Sequence, residues 1–356
     1  MSKAPKFIRS LHLNIRHMEP MIKLIPTHGY RILTVLLLLT ASIHLEGRPP
    51  NVVLIVSDDQ GYRDLGCFGS REVLTPHLDR LAKGGVKLNS FYVSWPACTP
   101  SRGSILTGRY PQRNGIYDMI RNEAPDYGYK YKPGEYEATF ERIGGMDVRE
   151  ILLPQVLGKA GYMSGIFGKW DLGVHKRFLP LARGFHDFYG FVNTGIDYYT
   201  HERYGVPSMY RNNAPTLEDR GTYCTDLFDR EAMRFLTQNH RKPFFLYLPF
   251  TAAHWPLHAP GDEIEQYKGR FSAGWDELRS RRLKRMKKLG VIGPEVELSP
   301  RHPNVPAWKD EGNKAWQERR MEVYAAQVTI MDRVIGRVLD HLRKSGQLDD
   351  TLTFFT

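Results

Sequence analysis

Asp58 and Asp59 stand side by side directly after the apolar run Asn51-Val-Val-Leu-Ile-Val56, with Gln60 and Gly61 beside them. Two adjacent carboxylates repel each other unless a cation lies between them, and hard cations such as Ca²⁺ or Mg²⁺ take oxygen ligands. A divalent metal site is one meaning of the pair. Helix capping or loop hydrogen bonding is the other, and the pair alone favours neither. A second candidate is Cys98, in the run Cys98-Thr-Pro-Ser-Arg102. Pro100 suits the first turn of a helix and Gly108 its end. Cys98 therefore falls at or just before a helix amino terminus, where the helix dipole and free N–H groups favour an anion. Arg102 lies one turn on and can point back toward it. This segment holds no histidine to serve as base for a thiolate nucleophile, so a buried structural cysteine stays open as a reading. Lys169 and Asp171, and separately His254, follow two further apolar runs.

Those runs are the elements that must position the candidates. Asn51–Val56 is rich in β-branched residues and reads as a buried parallel strand. Tyr162-Met-Ser-Gly-Ile-Phe167 and Phe244-Phe-Leu-Tyr-Leu248 read the same way, and Thr351-Leu-Thr-Phe-Phe-Thr356 begins another. Phe91-Tyr-Val-Ser-Trp95 reads as extended. Helices are expected over Leu78–Gly84, Leu152–Ala160 and Arg230–Asn239. From Met321 to Lys344 the set Val323, Ala326, Ile330, Val334, Val338 and Leu342 recurs every three or four residues, the clearest amphipathic helix in the chain, and Gly346 stops it. Alternating strands and helices predict an α/β fold: a mostly parallel, mixed sheet covered by helices on both faces. Asp58 and Asp59, Lys169 and Asp171, and His254 then all sit at carboxyl ends of strands, the edge where open α/β sheets bind ligands.

The chain has 356 residues and a net charge of +11. Its length allows one large α/β domain or about two smaller ones. Residues 1–48 hold seven Lys or Arg against two Glu, which accounts for +5. Seven more positive charges fall in the ten residues Arg279–Lys288. No aromatic residue interleaves that run, which argues against nucleic acid; a solvated helix face is expected, with an anionic polysaccharide as the other possible partner. The three cysteines, Cys67, Cys98 and Cys224, are too few and too scattered for a disulfide framework or a zinc site. Cys67 and Cys224 are expected to be structural. Residues 121–145, with Tyr127, Tyr129, Tyr131 and Tyr136, read as a long loop able to line a cleft or stack on sugar rings.

The first 48 residues carry their own pattern: a basic stretch, the ten-residue apolar run Ile32–Ala41, then polar residues. That is the order of a secretory signal, and about 20 apolar residues would be needed to cross a bilayer. A buried element of the fold is the alternative. The expectation is a targeting segment at 1–48 and a catalytic domain at 49–356, with the mature protein secreted or periplasmic and membrane contact confined to an uncleaved amino terminus.

Cys98-Thr-Pro-Ser-Arg102, continued by Gly103-Ser-Ile-Leu-Thr-Gly-Arg109, and the opening Asn51–Gly61 together resemble the type I sulfatases of the alkaline-phosphatase superfamily. Gly168-Lys-Trp170, Ala253-His-Trp-Pro256 and Tyr324–Asp332 extend the resemblance, which runs from about Pro50 to Thr356 in the family's order. It implies a sulfuric ester hydrolase in which a maturation enzyme converts Cys98 to formylglycine before folding, guided by Cys98, Pro100 and Arg102. A hydroxyl of the hydrated aldehyde would attack the sulfur of a sulfate ester on a small molecule or polysaccharide. The second hydroxyl would then expel sulfate. Asp58, Asp59 and the modified Cys98 would ligate calcium. Arg102 would orient the modified side chain, Lys169 and His254 would hold the sulfate, and His254 would protonate the leaving oxygen.

Two positions depart from the family. Asp171 stands where a histidine often assists the formylglycine hydroxyl. The family's next motif, a Ser-Asp-Asn-Gly turn with two more metal ligands and then a lysine, would follow the strand at Thr351–Thr356, and the given sequence stops there. The expectation for this polypeptide is a half-built calcium site with weak binding and poor turnover. A phosphate or phosphonate ester hydrolase of the same superfamily, or a non-catalytic binder of sulfated glycans, are the alternatives.

Overall fold

The structure, a computed structural model, describes residues 48–120 and 144–356. The export signal expected at the amino terminus and the tyrosine-rich loop around Tyr127, Tyr129, Tyr131 and Tyr136 lie outside the described residues. Residues Pro50–Thr356 form one compact unit. Its elements run β1 (Asn51–Val56), α1 (Pro76–Gly84), α2 (Cys98–Thr107), α3 (Pro111–Asn114), α4 (Leu153–Lys159), β2 (Met163–Lys169) and β3 (Asp187–Phe191). Two short hairpins follow, β4 (Glu202–Arg203) with β5 (Val206–Pro207) and β6 (Met209–Arg211) with β7 (Ala214–Pro215). The chain then continues through α5 (Cys224–Asn239), β8 (Phe244–Pro249), α6 (Gly261–Glu265), α7 (Gly274–Lys288), α8 (Lys314–Lys344) and β9 (Thr351–Phe355).

Seven strands form one sheet in the order β7-β6-β3-β2-β8-β1-β9. β1 pairs in parallel with β8 and β9, and β2 in parallel with β8 and β3. In this sheet the β3–β6 and β6–β7 pairings, at one edge, are antiparallel, so β6 is the strand that runs against the rest. The expected mixed, mostly parallel sheet is therefore present, and the expected strand at Asn51–Val56 has the predicted limits.

Both faces of the sheet are buried, which is why its central strands read as continuous apolar runs rather than alternating ones. Successive side chains of a strand point to opposite faces. Leu246 and Leu248 enter one core with Val53, Ile55 and Phe167, packed by α5 (Phe228, Phe235) and α8 (Val328, Met331, Val334). Phe245 and Tyr247 enter a second core with Ile166 and Phe188, packed by Leu106 of α2 and by Trp170 and Phe185. Trp170 donates its indole N–H to the Phe178 carbonyl at 2.9 Å and meets Phe185 edge-on. Truncating such a ring typically costs about 3–5 kcal/mol. Here it also fixes the chain between Lys169 and Asp171.

Gly168 shows why the residue before Lys169 has no side chain. Its φ is +136°, and a Cβ there would stand 2.1 Å from the Pro249 carbonyl oxygen. Its register partner Gly190 is equally constrained, with a Cβ falling 1.9 Å from the Gly168 oxygen. The bare backbone lets β8, β2 and β3 close up at their carboxyl ends.

Several limits differ from expectation. Phe91–Trp95 forms no strand, and Phe91, Tyr92 and Val93 are exposed. β-propensity expresses packing on a sheet, and these residues have no strand to pair with. α8 begins at Lys314 rather than near Met321, because its first two turns are charged and carry no apolar stripe. The basic run lies on α7, but it is only partly the solvated face expected: Arg281, Lys284 and Lys288 are exposed, whereas Arg282 and Arg285 are largely covered. Arg281 pairs with Glu277, Arg282 with Asp64, Arg285 with Glu72 and Lys287 with Glu297. Arg285 and Arg282 thus fasten α7 to the loop after β1. Among the described residues no helix is long and apolar enough to cross a membrane.

Candidate active site

β1, β2 and β8 lie next to one another, and the loops leaving their carboxyl ends meet in one place. The Phe250 amide donates to the Val56 carbonyl and the Asp58 amide to the Ala252 carbonyl, each at 2.9 Å, so the β1 and β8 loops are laced together. Asp58 turns into the protein. Asp59, with φ at +54°, turns outward and leaves 56% of its side chain exposed. The left-handed backbone at Asp59 is what lets two adjacent carboxylates face different surroundings.

Cys98 is the first residue of α2, with Pro100 in the first turn and Gly108 in a left-handed cap, as its sequence predicts. Its thiol lies 3.6 Å from Asp58 Oδ1. Arg102, one turn on and buried, places Nη2 3.3 Å from the same oxygen and donates through Nη1 to the Lys169 carbonyl. Lys169 ends β2 with its side chain wholly buried, Nζ 2.8 Å from Asp58 Oδ2 and 3.7 Å from Asp171 Oδ2. His254 follows β8, with Nε2 3.5 Å from Asp59 Oδ2 and Nδ1 2.5 Å from the Trp255 carbonyl. The structure thus brings together all seven residues singled out in the sequence: Asp58, Asp59, Cys98, Arg102, Lys169, Asp171 and His254.

The charges in this group set one another. Burial pushes the Asp58 carboxyl up, but Lys169, Arg102 and His254 outweigh it and hold it down at about 2. For Asp171 burial wins over Lys169 and Arg102, and the carboxyl is pushed up to about 6. Burial would strip the Lys169 proton, yet Asp58 and Asp171 hold it on and raise the group. Burial lowers His254 against the opposing pull of Asp58, favouring the neutral ring. The sequence predicted an anion-stabilising seat for Cys98, and here the structure differs. Burial, with the Asp58 and Asp171 carboxylates, lifts the thiol to about 11 in spite of Lys169 and Arg102. An unmodified Cys98 is a neutral thiol at physiological pH and a poor nucleophile.

A divalent cation can be tested against the donors present. Ligand atoms of Asp58, Cys98 and His254 lie within 4.8 Å of one another, and Asp59 reaches the same histidine. Both polar atoms of the buried Gln60 amide, next to this pair, lack a hydrogen-bond partner among the described residues. Two carboxylates and an unpartnered amide suit a hard cation, and the thiol does not. An oxygen in place of the Cys98 sulfur would make the set consistent.

One contributor was not foreseen. Tyr198, wholly buried, brings its hydroxyl to the carbonyls of Thr251 and His254 at 2.9 and 3.0 Å and so pins the loop that carries His254. In the sequence it is one of nineteen tyrosines, with no spacing to mark it.

Comparison with known proteins fits this arrangement. Residues 50–356 match the sulfatase family model. The chain is 35% identical to an uncharacterized sulfatase of Schizosaccharomyces pombe over 336 residues, 87% of this chain and 57% of that one. It is 36% identical to the N-acetylgalactosamine-6-sulfatase of Canis lupus familiaris over 245 residues, 65% of this chain and 45% of that one. Among solved structures it is similar to Ps i-CgsB in complex with k-i-k-neocarrahexaose, with a TM-score of 0.61 and 27% identity over 86% of this chain and 58% of that one. The chain thus spans about half the length of these relatives, between 45% and 58%.

Proposed function

The chain belongs to the sulfatase family, type I, and from that membership we propose that it hydrolyses sulfate esters of carbohydrates through a formylglycine made from Cys98. The observation that carries the reading is the seat of Cys98. It opens a helix beside a buried Asp58–Lys169–Arg102 group, where a thiol is held neutral and an aldehyde hydrate would find both a base and cations.

The chain's own residues divide the work. Lys169 and Arg102 offset negative charge on the nucleophile and on sulfate oxygens in a water-poor pocket, where fixed charges act strongly. Asp171, buried with its carboxyl raised, takes the place of a histidine as acceptor for the nucleophile's proton. His254 donates a proton from Nε2 to the leaving alcohol; the neutral ring keeps its proton on Nδ1 against the Trp255 carbonyl, so this role belongs to the imidazolium, which the anionic ester favours when bound. Asp58, Asp59 and the modified Cys98 would hold calcium, which when bound draws charge from a sulfate oxygen.

The carbohydrate substrate rests on the relatives: one is named an N-acetylgalactosamine-6-sulfatase and another was solved with an oligosaccharide. Export, signalled by residues 1–48, belongs to the same proposal, and amino-terminal sequencing of the mature protein tests it. The central test is mass spectrometry of the peptide containing Cys98, together with turnover of N-acetylgalactosamine 6-sulfate. Replacement of the thiol by an aldehyde with sulfate release is the expected result. An unmodified thiol in a protein that still turns over would overturn the formylglycine assignment.

A further inference from the structure

Next to His254, the hairpin of β4 and β5 brings in Arg203. Its guanidinium lies 5.3 Å over the ring of Trp255 and 4.7 Å over that of Tyr204, both exposed, at 51% and 74%. Trp255 in turn stacks on His254, ring centres 5.3 Å apart. Gly195 is the floor beneath this group. A Cβ there would stand 2.5 Å from Arg203 Nη1 and 3.2 Å from His254 Cε1, so cation and imidazole close over the same bare backbone.

Arg203 has no ion-pair partner among the described residues; its hydrogen bond goes to the Tyr204 hydroxyl at 3.4 Å. The carboxylates nearest in sequence are engaged elsewhere, Glu202 with Arg220 and Asp197 with His258. A guanidinium held over aromatic faces, without a counter-ion, is preorganised to accept one.

We propose that Arg203 and Trp255 bind a second anionic group carried by the leaving alcohol, so that the preferred substrate is a saccharide bearing a further sulfate or a carboxylate beside the ester that is cleaved. This rests on the sulfate ester reading above, in which His254 protonates the leaving oxygen. The groups packed against His254 then border the alcohol, and they offer an aromatic surface for a sugar ring and a fork of N–H donors for an anion.

The test compares N-acetylgalactosamine 6-sulfate with N-acetylgalactosamine 4,6-disulfate on the intact protein, natural and with Arg203→Gln or Arg203→Lys. Arg203→Gln should raise KM for the disulfate about ten- to a hundredfold, the loss of one charge-assisted contact, with kcat within about twofold. KM for the monosulfate should stay within about twofold, and Arg203→Lys should recover part of the loss. Equal effects on both substrates, or none on either, would overturn the proposal. If the natural protein cleaves neither, the sulfate ester reading has failed, and calorimetric titration with the disulfate decides about Arg203 alone. Binding at least about tenfold weaker in Arg203→Gln sustains the subsite; equal binding, or none to the natural protein, removes it.

Discussion

The Lys169 ammonium lies 2.8 Å from the Asp58 carboxylate, although the two residues are 111 positions apart and neither side chain has meaningful access to water. Removing one member leaves the other charged and buried. Lys169→Met and Asp58→Asn should each cost about 3–5 kcal/mol in denaturant unfolding. The double variant should cost less than the sum, by a coupling of about 1–3 kcal/mol. Strict additivity would mean that Arg102 and Asp171 compensate each charge separately.

Cys98 contributes one long contact to Asp58, so Cys98→Ala should change stability by less than about 1 kcal/mol. If residue 98 carries the nucleophile, as proposed, turnover should nonetheless fall about a thousandfold or more. A variant keeping a tenth of the natural rate would exclude residue 98 as the nucleophile.

Tyr198→Phe tests positioning apart from chemistry. The ring stays while the hydroxyl at the Thr251 and His254 carbonyls is lost, which should cost about 1–2 kcal/mol of stability. If His254 is the proton donor, kcat should drop about tenfold with KM little changed. An unaltered kcat would mean that this loop holds its geometry without the tyrosine.

Away from the site, Glu231 on α5 accepts hydrogen bonds from Arg211, Arg230 and Arg234. Burial pushes its carboxyl up, but the arginines overcome this and hold it at about 2. A carboxyl whose folded value lies below its unfolded value, about 4.3, stabilises the fold above that pH and loses the contribution as pH falls toward 2. Glu231→Gln should therefore cost about 2 kcal/mol at pH 7, the partner arginines being partly exposed, and should flatten the loss of stability between pH 4 and 2. Parallel stability curves for the two proteins would refute the assignment.

The central strands were legible because burial on both faces makes them continuously apolar, and the site was legible because its polar residues follow those strands directly. β3 was not: Asp187-Phe-Tyr-Gly-Phe191 is short and interrupted by Gly190, the residue that the close approach to Gly168 demands. The short hairpins of β4 to β7 carry too few residues for any periodicity. The raised thiol of Cys98 was hidden as well. Sequence shows the helix start that would stabilise an anion, but not the burial and the Asp58 carboxylate that oppose it.

The Asp58–Lys169 pair joins segments more than a hundred residues apart, and β1 acquires its neighbour β8 only after Pro249 has been synthesised. Parallel pairing over such separations is slow compared with formation of a ten-residue helix like α2. Cys98 is therefore more open to another protein during synthesis than in the closed fold, where it is half-buried. Any enzyme that modifies it is in a race with closure of the sheet, and a variant that accelerates folding stands to leave more of the thiol unconverted.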